Sequence, residues 1–287
     1  MTGKESTIRD YHKRINKVLV YVNEHMDEKM ELEKLACISS FSTFHFHRIM
    51  RAYLNESLGS FLLRLRLDKA AGLLEYTSLS PSEVAWKVGY EVPSSFNKAF
   101  KKRFGLSPGE YRNGQRLKFQ TSELIIQNTN NMDIKPKIKE LKPCKVIYVT
   151  ARGAYNESAK EAWDKICSFA GKNKLFGFST EMIGISHDDP NITESDKLRY
   201  DACIRIKKEI DPAGEVGVKE IAGGRYAIFK HKGPYEKLSD TYNAIYRVWL
   251  PGSGESLRDA PCFEKYLNNP DKTKPEQLLT EIHLPIE

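Results

Sequence analysis

At 287 residues the chain exceeds the usual size of one domain and predicts two. No stretch approaches the ~18 consecutive apolar residues of a membrane helix, and the N-terminus MTGKESTIRDYHKR lacks the apolar core of a secretory signal, so a cytoplasmic chain without a membrane partner is expected. The net charge of +7 is uneven: residues 1–115 hold 18 Lys and Arg against 13 Asp and Glu, and the other 172 residues hold 27 against 25. An excess of positive charge on the shorter part fits contact with a polyanion.

From Ile8 the pattern is helical. Ile8, Tyr11, Ile15, Val18, Leu19 and Val22 recur at three- and four-residue steps and predict an opening amphipathic helix. Two related segments follow, Glu31–Glu56 and Ser80–Gly105. Phe46, His47, Arg48, Met50 and Asn55 align with Phe96, Asn97, Lys98, Phe100 and Gly105 at an offset of fifty, whereas Leu35-Ala36 and Phe41 align with Val84-Ala85 and Tyr90 at forty-nine. Each segment predicts a short helix, a turn and a longer helix, with the second turn one residue longer. Ser80-Pro81-Ser82-Glu83 and Ser107-Pro108-Gly109-Glu110 combine a capping serine, a proline at the first helical position and a glutamate three residues past the cap. Gly89 suits the second turn, with Ser40 in its place in the first; Asn55 and Gly105 suit a left-handed helix end.

The longer helices have two predicted faces. Phe46, Ile49, Met50 and Tyr53 form one apolar stripe, and Phe96, Ala99, Phe100 and Phe104 form its counterpart. The outer faces carry Phe44, His47, Arg48 and Arg51, and Ser94, Asn97, Lys98 and Lys101. Such side chains are suited to base edges and phosphates; one such face alone reads rather as a solvated surface, but two in matched frames favour DNA. Ser57–Tyr76 between the units predicts a helical spacer of roughly 27 Å, near the ~34 Å between successive major-groove faces of a duplex.

Val84-Ala85, Gly89-Tyr90, Ser95-Phe96, Ala99-Phe100-Lys101, Phe104-Gly105, Ser107-Pro108 and Tyr111-Arg112 together resemble the DNA-binding domain of the AraC/XylS family. The resemblance covers residues about 8–112. It implies double-stranded DNA and RNA polymerase as partners, Phe44, His47 and Arg48 as the main base contacts and Ser94, Asn97 and Lys98 as the second set. Ser40 and Asn55 depart from the glycines usual in the first unit.

The domain boundary is expected within residues 113–132, a polar linker in which Leu124–Ile126 is a strand or a packing segment. The second part, 133–287, repeats at an offset of eighty: Gly153 and Tyr155 align with Gly233 and Tyr235, and Pro190 with Pro270. Each half reads β-α-β-β, with strands near 145–152, 181–187 and 199–206 around a helix near 157–171, then strands near 225–232, 261–267 and 278–285 around a helix near 235–249. The expected fold class is multidomain: an all-α double helix-turn-helix followed by an α+β domain of two such repeats with a cleft between them.

Gly233-Pro234-Tyr235, Tyr242, Trp249, the run APCFEKYL and the final LLTEIHLPI resemble the GyrI-like effector-binding domain, which implies a small-molecule effector of the kind met in multidrug sensing. Family ligands are often lipophilic cations held by aromatic faces and a buried carboxylate. Glu264 matches the carboxylate position, and Tyr266, Trp163, Trp249, Phe263 and Tyr148 are the candidate aromatic set, with Tyr226 also on a strand. Read from the residues alone, the aromatics serve equally as core, and Glu264 as the solvent-side partner of a lysine.

No catalytic, metal or cofactor site is expected. The cysteines (Cys37, Cys144, Cys167, Cys203, Cys262) form no C-x-x-C pair and read as small buried or half-buried residues, and His187-Asp188-Asp189-Pro190 reads as a turn. Two alternatives stand beside the sensor: a protein-docking module without ligand, and a GyrI-like hydrolase of reactive electrophiles. Monomer and homodimer are both compatible with the pattern.

Overall fold

A computed structural model describes residues 3–114, 134–177, 180–211 and 213–287, without the side chains of residues 3–9 and 44. Most of the linker, including Leu124–Ile126, lies outside the described residues. The chain divides into two compact units, Met1–Asn128 and Thr129–Glu287.

The first unit is helical: α1 Gly3–Glu24, α2 Leu32–Ile38, α3 Thr43–Leu54, α4 Leu58–Tyr76, α5 Pro81–Lys87, α6 Pro93–Phe104 and α7 at 108–114. Local chemistry sets the boundaries. Ser42 and Ser57 cap α3 and α4. Ser80 and Glu83 form a reciprocal capping box on α5, and Ser107 with Glu110 repeats it. Asn55 (φ 61°) and Gly105 (φ 75°) take the left-handed conformation that ends α3 and α6. Ser40 adopts φ 52°, the counterpart of Gly89 at 79°. The first core joins Ile15, Val18 and Val22 of α1 to Leu35 and Ala36 of α2, Phe46 and Met50 of α3, and Phe61 and Leu65 of α4. Burying each large side chain contributes about 1.5–3 kcal/mol.

The second unit contains one eight-stranded antiparallel sheet. Its strands are β1 Lys137–Leu141, β2 Cys144–Arg152, β3 Met182–Ser186, β4 Arg199–Arg205, β5 Gly217–Ile221, β6 Gly224–Lys232, β7 Phe263–Tyr266 and β8 Leu279–Pro285. The order is β1-β6-β8-β7-β3-β4-β2-β5. Exchanging each strand with the one four later reverses this order, so the eighty-residue repeat becomes a pseudo-twofold axis through the β3–β7 pair. The β-α-β-β segments gain a leading strand, β1 and β5, in each half. These strands are exchanged: β1 pairs with β6 of the second half and β5 with β2 of the first. The halves therefore share one continuous sheet.

Helix α8, Tyr155–Lys172, packs on Ile147, Val149, Tyr200, Ala202 and Ile204. Its counterpart begins as α9, Leu238–Ala244, passes through a π-helical turn at Ile245–Trp249 and ends as α10, Leu250–Ser253. Pro251 supplies no N–H to continue the regular ladder. This helix covers Ala227, Phe229, Ile282 and Leu284.

Candidate functional site

On α3 and α6 the predicted faces separate cleanly. Phe46, Met50, Phe96 and Phe100 are buried, while His47, Arg48 and Arg51 and then Ser94, Asn97, Lys98 and Lys101 are exposed. The side chain of Phe44 lies outside the described part. Each long helix thus offers a polar, basic face supported by its own apolar stripe, the arrangement a groove-reading helix requires.

In the second unit, strand pairing decides which side chains meet. Glu264 sits opposite Ile282 on one side and Gly184 on the other, so no lysine opposes it. The two-residue period puts Glu264 and Tyr266 on the helix-covered face. Glu264 is 5% exposed. Tyr242 donates to its Oε1 at 3.0 Å, and Tyr266 donates to its Oε2 at 2.6 Å. Tyr200 and Tyr266 join hydroxyls at 2.9 Å, and the Trp163 indole N–H donates to Tyr200 at 3.0 Å. Trp163 and Tyr235 both meet the Tyr266 ring edge-to-face, at 5.7 and 5.3 Å. Glu264 and Tyr200 are buried; Trp163, Tyr235, Tyr242 and Tyr266 are half-buried around them.

Electrostatically this is a carboxylate served by phenols and by no cation among the described residues. Burial pushes the Glu264 carboxyl above its ordinary value of 4.5, against the opposing effect of the Tyr266 and Tyr242 hydrogen bonds. Burial, reinforced by neighbouring acidic groups that include Glu264, holds Tyr242 and Tyr266 well above 10.0. Burial followed by the Glu264 charge raises Tyr235 to about 12. The phenols therefore stay protonated and act as donors.

The cluster is asymmetric about the pseudo-axis. The repeat places Gly184 where the second half has Glu264, and Thr280 where the first has Tyr200. A methyl group on Gly184 would collide with the Tyr200 and Tyr266 hydroxyls. Gly184→Ala should therefore break the Tyr200–Tyr266 bond and destabilise the unit by about 1–3 kcal/mol through overpacking. Thermal unfolding checks this, and an unchanged midpoint would show that the hydroxyls can move aside freely.

Several sequence expectations are corrected. Phe263 lies on the opposite sheet face from Glu264, stacked on His283 at 4.3 Å and edge-on to Tyr226. Tyr148, opposite Cys203 in the ladder, also turns away from Tyr200 and lies beneath the Lys219 ammonium, 4.7 Å from its ring centre. Trp249 packs edge-on to Phe229 in the second-half core. Of the expected set, Glu264, Tyr266 and Trp163 are brought together. Tyr200, Tyr235 and Tyr242 complete the group; the match of Tyr235 with Tyr155 and the Gly-Pro-Tyr motif were the available signals, and Tyr200 had none. Cys37 is exposed, against the expectation of burial.

His187 and Asp188 do more than turn the chain. His187 binds the buried Asp201 at 2.6 Å, and Asp201 also accepts from Thr150 at 2.5 Å and pairs with Lys219. Asp188 takes both the backbone N–H and the guanidinium of Arg199. The expected turn follows: the Asp189 carboxylate accepts from the Asn191 backbone, and Asn269 does the same for Asp271 in the repeat.

Two helix-turn-helix units and a pseudo-symmetric sheet with a buried acidic aromatic cluster place the chain among regulators that join a helix-turn-helix region and a small-molecule-binding domain in one chain. A family model described as a GyrI-like small molecule binding domain matches residues 134–287, and one described as a helix-turn-helix domain matches residues 35–114. The chain belongs to the GyrI-like family and is a DNA-binding transcription regulator with an AraC-family helix-turn-helix region. It is 35% identical to the probable transcriptional regulator YgiV of Escherichia coli K12, across 37% of this chain and 68% of that protein. It is 20% identical to the transcriptional regulator Rob of Salmonella typhimurium, across 95% of this chain and 97% of Rob. The EcmrR–DNA complex seen by cryo-electron microscopy is similar at 13% identity, with a TM-score of 0.46, across 90% of this chain and 99% of that one. Among the described residues no helix is long and apolar enough to cross a membrane.

Proposed function

We propose that residues 1–112 read duplex DNA through the exposed faces of α3 and α6, and that residues 133–287 bind a lipophilic cation at Glu264 to modulate transcription, with RNA polymerase as protein partner. One observation carries the effector reading: Glu264 is buried, accepts hydrogen bonds only from phenols among the described residues, and lies inside a rim of half-buried aromatic rings. A buried anion without a cation is a costly arrangement that a bound cation relieves, and ring faces add attraction for the same charge.

Trp163 reports on the site, because its indole donates into the phenol chain that ends on Glu264. Titration with a permanently charged aromatic phosphonium should quench tryptophan emission saturably, and a neutral analogue of the same shape should need a much higher concentration to do so. Equal response to both would remove the carboxylate from the reading.

On the DNA side, Arg48 and Lys101 separate two roles. Arg48→Ala should cost about 1–3 kcal/mol on the preferred duplex if its guanidinium reads a base edge. Lys101→Ala should weaken all duplexes alike and reduce the salt slope by about 1. Fluorescence anisotropy on specific and scrambled duplexes measures both; equal losses for Arg48→Ala on the two duplexes would assign it to phosphate.

A further inference from the structure

Spacer helix α4 is built as a brace between the two reading units. Arg66 projects from its middle and is half-buried. Its Nε donates to the Met26 carbonyl and its terminal nitrogen to the Glu28 carbonyl, both at 2.6 Å. Those carbonyls belong to the turn between α1 and α2, whose flanking helices pack in the core that supports α3. The same turn abuts the second helix-turn-helix: a β-carbon on Gly89 would lie 2.5 Å from the Asp27 carbonyl oxygen and 2.9 Å from the Arg66 guanidinium. Gly89 also needs its φ of 79°, so both its lack of side chain and its backbone freedom are used there. One guanidinium therefore touches the α1–α2 turn beside the first helix-turn-helix and the Gly89 turn of the second.

Ion pairs on α4 reinforce the same connection. Arg64 pairs with Glu56, at the junction after α3, at 2.8 Å. Asp68 pairs with Arg103 of α6 at 2.7 Å, and Arg64 and Asp68 approach to 4.0 Å. Each ion pair can relax by rotating long side chains, whereas the planar fork of Arg66 on the Met26 and Glu28 carbonyls fixes a direction.

We propose that Arg66 is a positioning residue for bipartite DNA recognition: by clamping the α1–α2 turn against the Gly89 turn, it fixes the separation and angle at which α3 and α6 meet successive grooves. The proposal rests on the reading of α3 and α6 as the two recognition helices. Rigid linkage of two weak readers raises the effective concentration of the second once the first is bound, and it penalises duplexes whose half-sites are misplaced.

The test uses the full-length chain. The wild type first selects duplexes from a random pool; two sequence blocks at a fixed separation are expected. Arg66→Met, which keeps the apolar stem, and Arg66→Lys, which keeps the charge, are then measured on the selected duplex, on duplexes with one or two base pairs inserted or removed between blocks, and on duplexes retaining one block. Arg66→Met should lose roughly tenfold affinity at the native separation, while its binding to single-block DNA stays within about twofold of wild type. Its preference among separations should flatten, and Arg66→Lys should fall between the two. An unchanged separation profile, or equal loss on one-block and two-block DNA, would overturn the proposal and leave Arg66 a stabilising residue only. Selection of a single block would overturn the bipartite reading itself, and selection of no sequence would overturn specific DNA reading; both are separate results from a failure of Arg66. Should Arg66→Met lack the wild-type circular dichroism, the Arg66→Lys separation profile decides: a profile identical to wild type rejects the clamp.

Discussion

Glu264→Gln should weaken cation binding about 100-fold while leaving the weaker binding of a neutral analogue of the same shape within about threefold. The substitution preserves volume and removes one charge. At an effective dielectric of about 20, unit charges about 4 Å apart attract by about 4 kcal/mol, which sets an upper bound near 1000-fold; screening and a relaxed contact distance bring the expected loss to about 100-fold. The empty protein should respond in the opposite sense. Because burial raises the folded-state Glu264 pKa above 4.5, the folded chain holds its proton more tightly than the unfolded chain. The associated stability is fully present below 4.5 and is lost as pH rises through the raised folded value. At neutral pH the carboxylate is then a burden that glutamine removes, so the variant should melt higher than wild type at pH 8 and lose this advantage at pH 4. Thermal scans across that window check the sign. A variant that melts lower at pH 8 would mean that Glu264 is compensated in the empty protein, and the cation reading would lose its main support.

The parts of this fold that were legible in the sequence are those fixed by neighbours along the chain. Ser80 and Glu83 form their reciprocal cap because the serine and glutamate lie three residues apart beside Pro81. Ser40 and Asn55 adopt left-handed backbone where the second helix-turn-helix uses glycine, so the alignment of the repeats survived substitution. Strands β1 and β5 escaped because Lys137–Leu141 and Gly217–Ile221 carry charges on short edge strands, and each pairs with the opposite half rather than with its own. The site divides the same way. Alternation along β7 already separates Phe263 from Glu264, since adjacent residues point to opposite faces. Tyr200 is different. Its place depends on the registers of β4 with β3 and of β3 with β7, and on the missing side chain of Gly184 between the hydroxyls. Those are three non-local facts that no short window contains. The relation of DNA reading to effector binding is harder still, because it would require differential contacts in two states.

Asp201→Ala should destabilise the second unit by about 3–5 kcal/mol, the cost of removing one partner from a buried ion pair. Asp201 is 2% exposed and satisfies Lys219, His187 and Thr150 at once. Without it the Lys219 ammonium remains in a largely buried position near the like charge of Arg199, which disfavours its protonated form. Lys219 and His187 hold the Asp201 carboxyl far below its ordinary 3.8 despite burial. The linkage therefore has the opposite sign from that of Glu264. Stability from Asp201 is present above about pH 4 and drains away as pH falls toward the depressed folded value. Wild type should consequently lose stability steeply in acid, and Asp201→Ala should show a flatter acid limb from a lower starting point. Asp201→Leu combined with Lys219→Met tests whether the loss comes from the stranded charge: the double variant should recover most of the stability of the wild type at pH 7, because two apolar groups leave no buried charge unpaired. If instead the double variant is as unstable as Asp201→Ala, the network acts through the Thr150 and His187 bonds that pin β2 and the segment after β3 to β4, and the ion pair itself contributes little. Urea titrations of the three proteins at pH 4 and pH 7 separate these outcomes, since the ion-pair account requires the single and double variants to differ at pH 7.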